Sequence, residues 1–368
     1  MNTSSGIKRE LQQKWDREVK IAAARIAPKI LGLDIQNLPI SDYNKSYFSK
    51  TRQELSVHLH IHAFLLSLAL AQHPHEPQDI SILDYGGGWG MLSLLAKELG
   101  IGRVVYNDIY EISCADAKVI ADAIGKPADQ YVAGDIRALI DFFQTHRMPC
   151  NAVISNNVIE HIYDIDDFLK KIPLVSNDGL TVVLATDANV YNPLKKWILM
   201  KKQRTIENQD RVGGYGWKER DSLKSYLKAR REMIAQHLAD KGVALGDQEI
   251  SRLAQVTRGK RGDDIKKCVD AYLRTSEFPG APDHPTNTCD PYTGNWAEHL
   301  MDPFMLAGTL EADGFETKVV CGSHGPYKNF AIRQVDNMLN ILMGVLPARI
   351  GLMAARYFVL YGHRAPGE

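Results

Sequence analysis

The sequence predicts an α/β fold in which helices cover both faces of a mainly parallel sheet. Apolar residues make up 45% and charged residues 24% of the 368 positions, which is typical of a globular protein. Between residues 80 and 187, short apolar segments alternate with segments of helix length. Glycine and polar residues mark the ends of those segments. Such alternation implies right-handed β-α-β crossovers and a parallel sheet buried on both sides.

The strands of this sheet are short and follow one another at regular intervals. The first five are predicted in the segments SILDYG, RVVYND, QYVAGD, NAVISNN and TVVLATD. Two further strands, GFETKVVCG and ARYFVLYGH, follow after residue 313, with helical sequence near 298–313 and at 333–353. The sequence therefore predicts seven strands in all.

Helical sequence precedes the sheet and also interrupts it. Residues 7–32 and 50–72 are each predicted to form a helix, and HPHEPQD at 73–79 is rich in helix-breaking residues. The strand and helix alternation stops after Asp187, and the next 100 residues are mostly helical in pattern. We therefore expect four regions: an N-terminal helical cap (1–79), the core (80–190), a helical basic insertion (191–305) and the completion of the sheet (306–368).

The whole chain is electrically neutral, but the insertion is basic. The chain has 44 Lys and Arg against 44 Asp and Glu, whereas residues 195–267 hold 19 basic and 10 acidic residues. A neutral total argues against nucleic acid as the partner. The local excess would either attract an acidic ligand or form one solvated helical face.

Cysteine usage and the N-terminal sequence indicate a cytoplasmic protein. The five cysteines are never closer than 21 residues, which excludes CxxC motifs and disfavours a disulfide framework. The first 20 residues contain no apolar signal region. The apolar stretch at 337–362 is interrupted by Pro347, Arg349 and Arg356, so at most peripheral membrane contact is expected.

A glycine-rich turn links the first strand to the first helix of the core. It runs from Asp84 through Gly86 and Gly88 to Gly90. Glycine permits positive φ and close approach of a ligand to the backbone, and the helix that follows presents unpaired N–H groups. A phosphate-binding P-loop would end in Gly-Lys-Ser/Thr, which is absent here. The dinucleotide fingerprint would need glycine at position 91, where this chain has Met91. Binding of a nicotinamide cofactor is therefore a weaker alternative, but it stays open.

Polar residues end the next three strands of the predicted sheet. Asp108 ends the second strand, Asp135 follows the third, and Asn156 lies at the end of the fourth. The carboxyl ends of parallel strands are where open α/β sheets bind ligands. A carboxylate after the second strand can accept hydrogen bonds from both ribose hydroxyls.

The combined pattern ILDYGGGWG, YND, AGD and ISNNVIEHIYDIDDFLKKI resembles class I S-adenosylmethionine-dependent methyltransferases of the small-molecule branch. The resemblance is close over about residues 80–190 and looser over 310–362. It implies a Rossmann-like sheet whose last strand is antiparallel and lies between strands five and six. It implies S-adenosyl-L-methionine as the cofactor, held by Asp84, Gly86, Gly88, Asp108, Ile109, Asp135, Ile136 and Asn156. Ile109 would flank the adenine, and Asp135 and its neighbour Ile136 would contact it.

Histidines supply the remaining candidates for chemistry. His161, just after the fourth strand, is a candidate general base because its ordinary pKa suits proton transfer; a packing role is the alternative. His58 and His62 share a helix face, but His60 points away and no other ligand is marked, so no metal is predicted. Arg52, Tyr47 and Phe48 precede the sheet and could hold the cofactor carboxylate, shield it, or only pack.

We expect the helical insertion to act as a lid and, together with a polar loop that it contains, to bind the acceptor. HPTNTCDPYTGNWAEH supplies amides and aromatic faces suited to a hydroxylated ligand, with Asn287, Tyr292, Asn295 and Trp296 as candidates. We expect a small polar acceptor, acidic or neutral, with a saccharide or nucleotide-sugar hydroxyl favoured over an amine. An ordinary surface loop is the alternative for this segment. For the whole chain the alternatives are an NAD(P)-dependent oxidoreductase and a non-catalytic cofactor-binding scaffold; the oligomeric state is left open.

Overall fold

The computed structural model describes residues 3–176, 179–210, 223–280, 284–325 and 330–366. Two compact units divide the chain. Unit 1 comprises Met1–Ile159, Ile165–Asp187 and Asp302–Glu368, and unit 2 comprises Glu160–Asp164 and Ala188–Met301. The predicted insertion at 191–305 includes residues 211–222 and 281–283, which lie outside the described residues.

Within the described residues, unit 1 contains one seven-stranded sheet. Its strands are β1 (Ser81–Tyr85), β2 (Arg103–Asp108), β3 (Gln130–Ala133), β4 (Ala152–Asn156), β5 (Leu180–Thr186), β6 (Glu316–Cys321) and β7 (Phe358–Arg364). The order across the sheet is β3-β2-β1-β4-β5-β7-β6. The first five strands are parallel, and β7 is antiparallel to both β5 and β6. The predicted Rossmann-like sheet, with its last strand inserted antiparallel between strands five and six, is confirmed.

Helices connect the strands as the alternation predicts. They are α4 (Met91–Leu99), α5 (Glu111–Ile124), α6 (Ile136–His146) and α7 (Ile165–Lys171). Gly100 and Gly125 end α4 and α5 in left-handed conformation, the usual role of glycine after the last helical residue. The central strands β1 and β5 are buried along their whole length, so helices must cover both faces.

The N-terminal region supplies three helices that pack in unit 1. They are α1 (Thr3–Gly32), α2 (Asp42–Gln53) and α3 (Leu55–Leu70). Trp15, Val19, Ile26 and Ile30 lie on one face of α1 and are fully buried in the same core as the sheet residues. The prediction of one helix over 50–72 was wrong, because α2 ends at Gln53 and Glu54 leaves helical geometry at φ −112°. No glycine or proline marks that break in the sequence.

The described part of unit 2 is mainly helical, as predicted. Its helices are α8 (Pro193–Asn208), α9 (Tyr226–Asp240), α10 (Asp247–Val256) and α11 (Gly262–Thr275). Its core includes Ile234, Leu253 and Ile265, all fully buried. Arg230 is also fully buried, and its guanidinium pairs with the carboxylate of Glu207. Removing either member of such a pair leaves a buried charge uncompensated.

The C-terminal part of unit 1 adds three more helices before the last strand. They are α12 (Pro303–Ala312), α13 (Phe330–Val345) and α14 (Ala348–Ala354). No helix in the described residues is both long and apolar enough to cross a lipid bilayer.

Candidate active site

The turn between β1 and α4 has a backbone that suits glycine and little else. Gly86, Gly88 and Gly90 have φ values of +69°, +60° and +92°. Side chains disfavour this left-handed region. A Cβ on Gly86 would also lie 2.5 Å from Cγ2 of Val158. The turn therefore exposes main chain rather than side chains to anything that binds against it.

A buried carboxylate fixes this turn to the helix that follows. Asp84 Oδ2 accepts hydrogen bonds from Ser93 N at 3.0 Å and from Ser93 Oγ at 2.6 Å. Burial raises the pKa of Asp84 to about 6, although the bonds from Ser93 oppose the rise. The structure thus gives Asp84 a role in holding the turn, since its carboxylate is buried beneath it.

The neighbouring strand β2 supports the turn from the other side. The Gly87 amide donates to the Asn107 carbonyl at 2.8 Å. The hydroxyl of fully buried Tyr106 donates to the Gly88 carbonyl. These bonds hold the glycine backbone in one conformation before any ligand arrives, which lowers the entropy cost of binding.

Aromatic side chains pack around the turn without filling it. Trp89 is buried against Phe48, at 4.7 Å between ring centroids, and its Nε1 donates to Thr51 Oγ1 at 2.9 Å. Tyr85 instead packs on Phe168, at 4.8 Å. Both rings are therefore held within the core.

Tyr47 of α2 is the side chain nearest to the position that a Cβ on Gly88 would occupy. Its Cε1 would lie 3.1 Å from a Cβ built on that glycine, and the side chain is partly exposed. Arg52 of the same helix donates to the Leu33 carbonyl at 2.9 Å. The structure thus engages Arg52 in packing the N-terminal helices, whereas Tyr47 covers one side of the glycine turn.

A second buried carboxylate anchors the start of α2. Asp116 Oδ2 accepts from Ser41 N at 3.1 Å and from Asn44 Nδ2 at 2.8 Å. Ser41 in turn caps α2 by accepting from the Asn44 amide. This network fixes the helix that carries Tyr47. Sequence reasoning missed it, because 72 residues separate Asp116 from Asn44 and neither has a recognisable motif.

Strand register aligns three of the predicted cofactor residues. Tyr85 is paired with Asn107, and Asp84 with Ile154. Gly86, Asp108 and Asn156 therefore follow at the same level on β1, β2 and β4. Asp108 is buried, its Oδ1 accepts from the Tyr110 amide at 3.1 Å, and Ile109 beside it is 46% exposed. The structure brings these residues together at the carboxyl edge of the sheet.

The other two predicted cofactor residues begin α6. Asp135 caps this helix, and its Oδ1 accepts from the Arg137 amide at 3.0 Å. Ile136 is buried. A helix cap alone accounts for aspartate at this position, an explanation that the AGD pattern did not distinguish from ligand binding.

The predicted general base belongs to unit 2. His161 Nδ1 lies 2.8 Å from the Trp296 carbonyl oxygen. Because a carbonyl only accepts, Nδ1 must carry the proton, and in the neutral ring Nε2 is then the basic nitrogen. The imidazole is thus held in a tautomer that can accept a proton through Nε2.

A series of stacked rings, which we call the ladder, involves the loop that was predicted to bind the acceptor. His284 stacks on His299 at 3.9 Å, His299 contacts Trp296 at 4.4 Å, and Trp296 stacks on Tyr163 at 5.7 Å. The guanidinium of Arg261 lies 4.5 Å from the Tyr163 ring centroid. Burial, with His284 adding to the effect, lowers the pKa of His299 to about 4, so this ring is neutral at pH 7. Tyr163 and Arg261 were missed, since neither lies in the predicted loop.

A polar cavity of about 380 Å³ adjoins this ladder within unit 2. It is lined by Arg261, Gly262, Asp263, Asp264, Lys267, Tyr292 and Thr293. Tyr292 is 54% exposed, and Asp264 accepts a hydrogen bond from the Tyr163 hydroxyl at 3.0 Å. Two cations and two carboxylates make the lining formally neutral.

The four predicted acceptor residues have different surroundings. Tyr292 lines the cavity and Trp296 belongs to the ladder. Asn287 is buried, and its amide donates to the Arg258 carbonyl at 3.1 Å. The Asn295 backbone amide donates to Thr293 Oγ1, at 3.1 Å. The structure therefore offers a backbone-supporting role for Asn287 and an open ring face for Tyr292.

The rings of His60 and His62 on α3 have separate hydrogen-bond partners. His62 Nδ1 bonds the His58 carbonyl at 2.8 Å, and His60 Nε2 lies 3.2 Å from Ser323 Oγ. In the described parts of the chain, no group of three or more His, Cys, Asp or Glu side chains could hold a metal ion.

Comparison with protein families gives one match over the core. Residues 55–231 match a family model described as a methyltransferase domain. No curated protein matches the sequence.

Solved structures of low sequence identity also match. One is an S-adenosylmethionine dependent methyltransferase from Mesorhizobium loti, with 14% identity and a TM-score of 0.35, covering 82% of this chain and 97% of that one. Another is the plantazolicin methyltransferase BpumL in complex with a triazolic desmethylPZN analog and SAH, with 12% identity and a TM-score of 0.39, covering 96% and 99% of the two chains. A third, from Archaeoglobus fulgidus, is a SAM dependent methyltransferase with 13% identity and a TM-score of 0.33, covering 81% and 93%. Because these TM-scores lie below 0.5, the acceptors of those proteins are no guide to the acceptor of this chain.

Proposed function

We propose that this chain, whose residues 55–231 match a methyltransferase-domain family model, transfers a methyl group from S-adenosyl-L-methionine to a small polar acceptor. The acceptor group that we favour is a hydroxyl of a saccharide, nucleotide-sugar or related metabolite. The observation that carries the proposal is the glycine turn, in which Gly86 and Gly88 have positive φ beside the buried carboxylate of Asp108.

The residues at the carboxyl edge of the sheet fit an adenosyl cofactor. The exposed backbone between Gly86 and Gly88 suits the methionine part, which needs close approach to N–H groups. Asp108 lies one position beyond the β1–β2 register and suits the two ribose hydroxyls. Ile109 and Ile136 suit the faces of the adenine, Asp135 its amine, and Asn156 completes the edge. When bound, S-adenosylmethionine supplies an electrophilic methyl group.

The chain itself then has to position groups and exclude water. Methyl transfer from a sulfonium is an in-line displacement, so alignment supplies much of the rate enhancement. Tyr47, on a helix anchored by Asp116, covers the turn next to Gly88 and would keep water from one side of it.

A hydroxyl acceptor must lose a proton, and His161 is the residue that we assign to this step. Its Nδ1 is committed to the Trp296 carbonyl, so Nε2 is available as the base. Because the ring already has the tautomer that the reaction needs, no proton has to move within the ring when the hydroxyl binds. The proton would remain on Nε2 until it is released to solvent.

The side chains of unit 2 support a neutral, hydroxylated acceptor. Tyr292 offers an open aromatic face, on which the C–H groups of a sugar can pack. The cavity beside it has as many carboxylates as cations. Carboxylates accept hydrogen bonds from hydroxyls and repel anions, so among the proposed acceptors the balanced lining favours a free saccharide over a nucleotide-sugar, which carries a diphosphate.

Transfer of a labelled methyl group tests the proposal. The full chain is incubated with S-adenosylmethionine labelled in the methyl group and a panel of free saccharides, sugar nucleotides, glycans and amines. We expect label in at least one hydroxylated compound, and loss of that transfer in His161→Ala with S-adenosylhomocysteine binding retained. Label in amines alone would contradict the hydroxyl assignment. Cofactor binding with no labelled product across the panel would favour a non-catalytic binding protein.

A further inference from the structure

One face of α8 in unit 2 combines exposed apolar and basic side chains. Leu194, Trp197 and Ile198 are 64%, 61% and 42% exposed. They lie three and four residues apart, so they share one side of the helix. Lys201 and Arg204 continue the same side in the next two turns and are exposed as well. We call these five residues the α8 face.

The opposite side of α8 is buried, which fixes the orientation of the helix. Leu199, Gln203 and Glu207 are buried. Gln203 Nε2 donates to the Ala297 carbonyl at 2.9 Å, and Glu207 pairs with the buried guanidinium of Arg230. Rotation of the helix to hide Trp197 would break these contacts. The α8 face is thus held outward by the folding of unit 2.

The charged side chains of α8 that reach solvent are all basic. The helix carries Lys195, Lys196, Lys201, Lys202 and Arg204. Its single acidic residue, Glu207, is buried and paired with Arg230. The Lys201 ammonium lies 5.6 Å from the Trp197 ring centroid, so a cation and an aromatic ring are presented together.

We infer that the α8 face binds the surface of an anionic phospholipid membrane. Lipid offers both partners that this face requires: phosphate for Lys201 and Arg204, and acyl chains for Leu194 and Ile198. Tryptophan favours the boundary between head groups and acyl chains. A nucleic acid would pair with the cations but leave the two aliphatic side chains in water. This inference does not depend on the proposed methyl transfer.

Sedimentation of the full chain with vesicles tests the inference. We expect binding to vesicles of phosphatidylcholine containing phosphatidylglycerol, weakening as salt is raised, and none to phosphatidylcholine alone. Lys201→Gln with Arg204→Gln should weaken binding by about fivefold for each charge removed. Leu194→Ser with Ile198→Ser should weaken it as well, whereas Trp197→Phe should retain it and change the tryptophan fluorescence shift on binding.

Matched controls separate this face from general surface effects. Lys266→Gln on α11 and Leu174→Ser remove a cation and an apolar side chain that are similarly exposed elsewhere, and they should bind vesicles like the parent. Circular dichroism and thermal unfolding should be unchanged in every variant, because the substituted side chains are exposed.

Four results would overturn the inference. The first is failure of the parent to sediment with anionic vesicles, and the second is binding of the α8-face variants as tight as that of the parent. Binding to duplex RNA at the same salt without vesicle binding would assign the face to nucleic acid. A dimer of the parent that these variants convert to monomer, with no vesicle binding, would assign it to a second copy of the chain.

Discussion

Gly86→Ala should destabilise the glycine turn. Two costs combine at this position. An alanine at φ +69° costs about 1–2 kcal/mol, because Cβ crowds the following carbonyl in the left-handed region. The new Cβ would also meet Val158 at 2.5 Å, and such overpacking typically costs about 1–3 kcal/mol more. The expected loss of unfolding free energy is therefore about 2–5 kcal/mol.

Gly125→Ala is a matched control for this substitution. Gly125 has φ +75°, ends α5, and would place no Cβ contact within 4 Å. The unfolding free energy of Gly125→Ala should fall only by the cost of the left-handed backbone, about 1–2 kcal/mol. Removing the clash in Gly86→Ala with Val158→Ala should return part of the difference between the two single variants.

Urea denaturation and calorimetry measure the two consequences separately. Gly86→Ala should weaken binding of S-adenosylhomocysteine by at least about tenfold, which equals 1.4 kcal/mol, whereas Gly125→Ala should leave it unchanged. If Gly86→Ala bound the ligand as tightly as Gly125→Ala does, the reasoning that the ligand lies against this backbone would be refuted.

Three further substitutions test the site. Asp108→Ala should weaken S-adenosylhomocysteine binding by about 1–3 kcal/mol through lost charge-assisted hydrogen bonds; unchanged affinity in calorimetry would remove the ribose assignment. Asp84→Asn should become more stable relative to the parent as pH rises. The folded-state pKa of about 6, against 3.8 in the unfolded chain, means that ionisation costs the fold about 3 kcal/mol at pH 7. That cost disappears as pH falls through about 4, because the carboxyl group is then protonated in both states. If urea denaturation gave the same stability difference between Asp84→Asn and the parent at about pH 4 and at about pH 7, burial of the Asp84 carboxylate would not be the cause. Thr51→Val removes the acceptor for buried Trp89 Nε1 and should cost about 1–3 kcal/mol; a loss below about 0.5 kcal/mol in the same assay would show that the bond contributes little.

The sequence was sufficient for the fold because its signals there are local. Each parallel strand is a short apolar run, and the glycines that end α4 and α5 stop those helices within the same few residues. The position of Asp108 at the carboxyl end of β2 follows from this alternation alone. The order of the last two strands came from the family resemblance, because two strands next to each other in sequence need not be neighbours in a sheet.

The parts that the sequence did not reveal depend on distant contacts. Asp116 holds the start of α2 across 75 residues, and Val158 restricts Gly86 across 72 positions. Neither residue differs in type from ordinary solvent-facing or core residues. The cap formed by Asp135 and the backbone bond of Asn287 illustrate the reverse case, in which a polar residue in a suggestive position already has a structural partner.

The most direct test of the account is a calorimetric titration of the unmodified full chain with S-adenosylhomocysteine and, separately, with NADH. The account predicts saturable binding of S-adenosylhomocysteine and no heat from NADH, because Met91 stands where the dinucleotide fingerprint needs glycine. Saturable binding of NADH with no response to S-adenosylhomocysteine would contradict it.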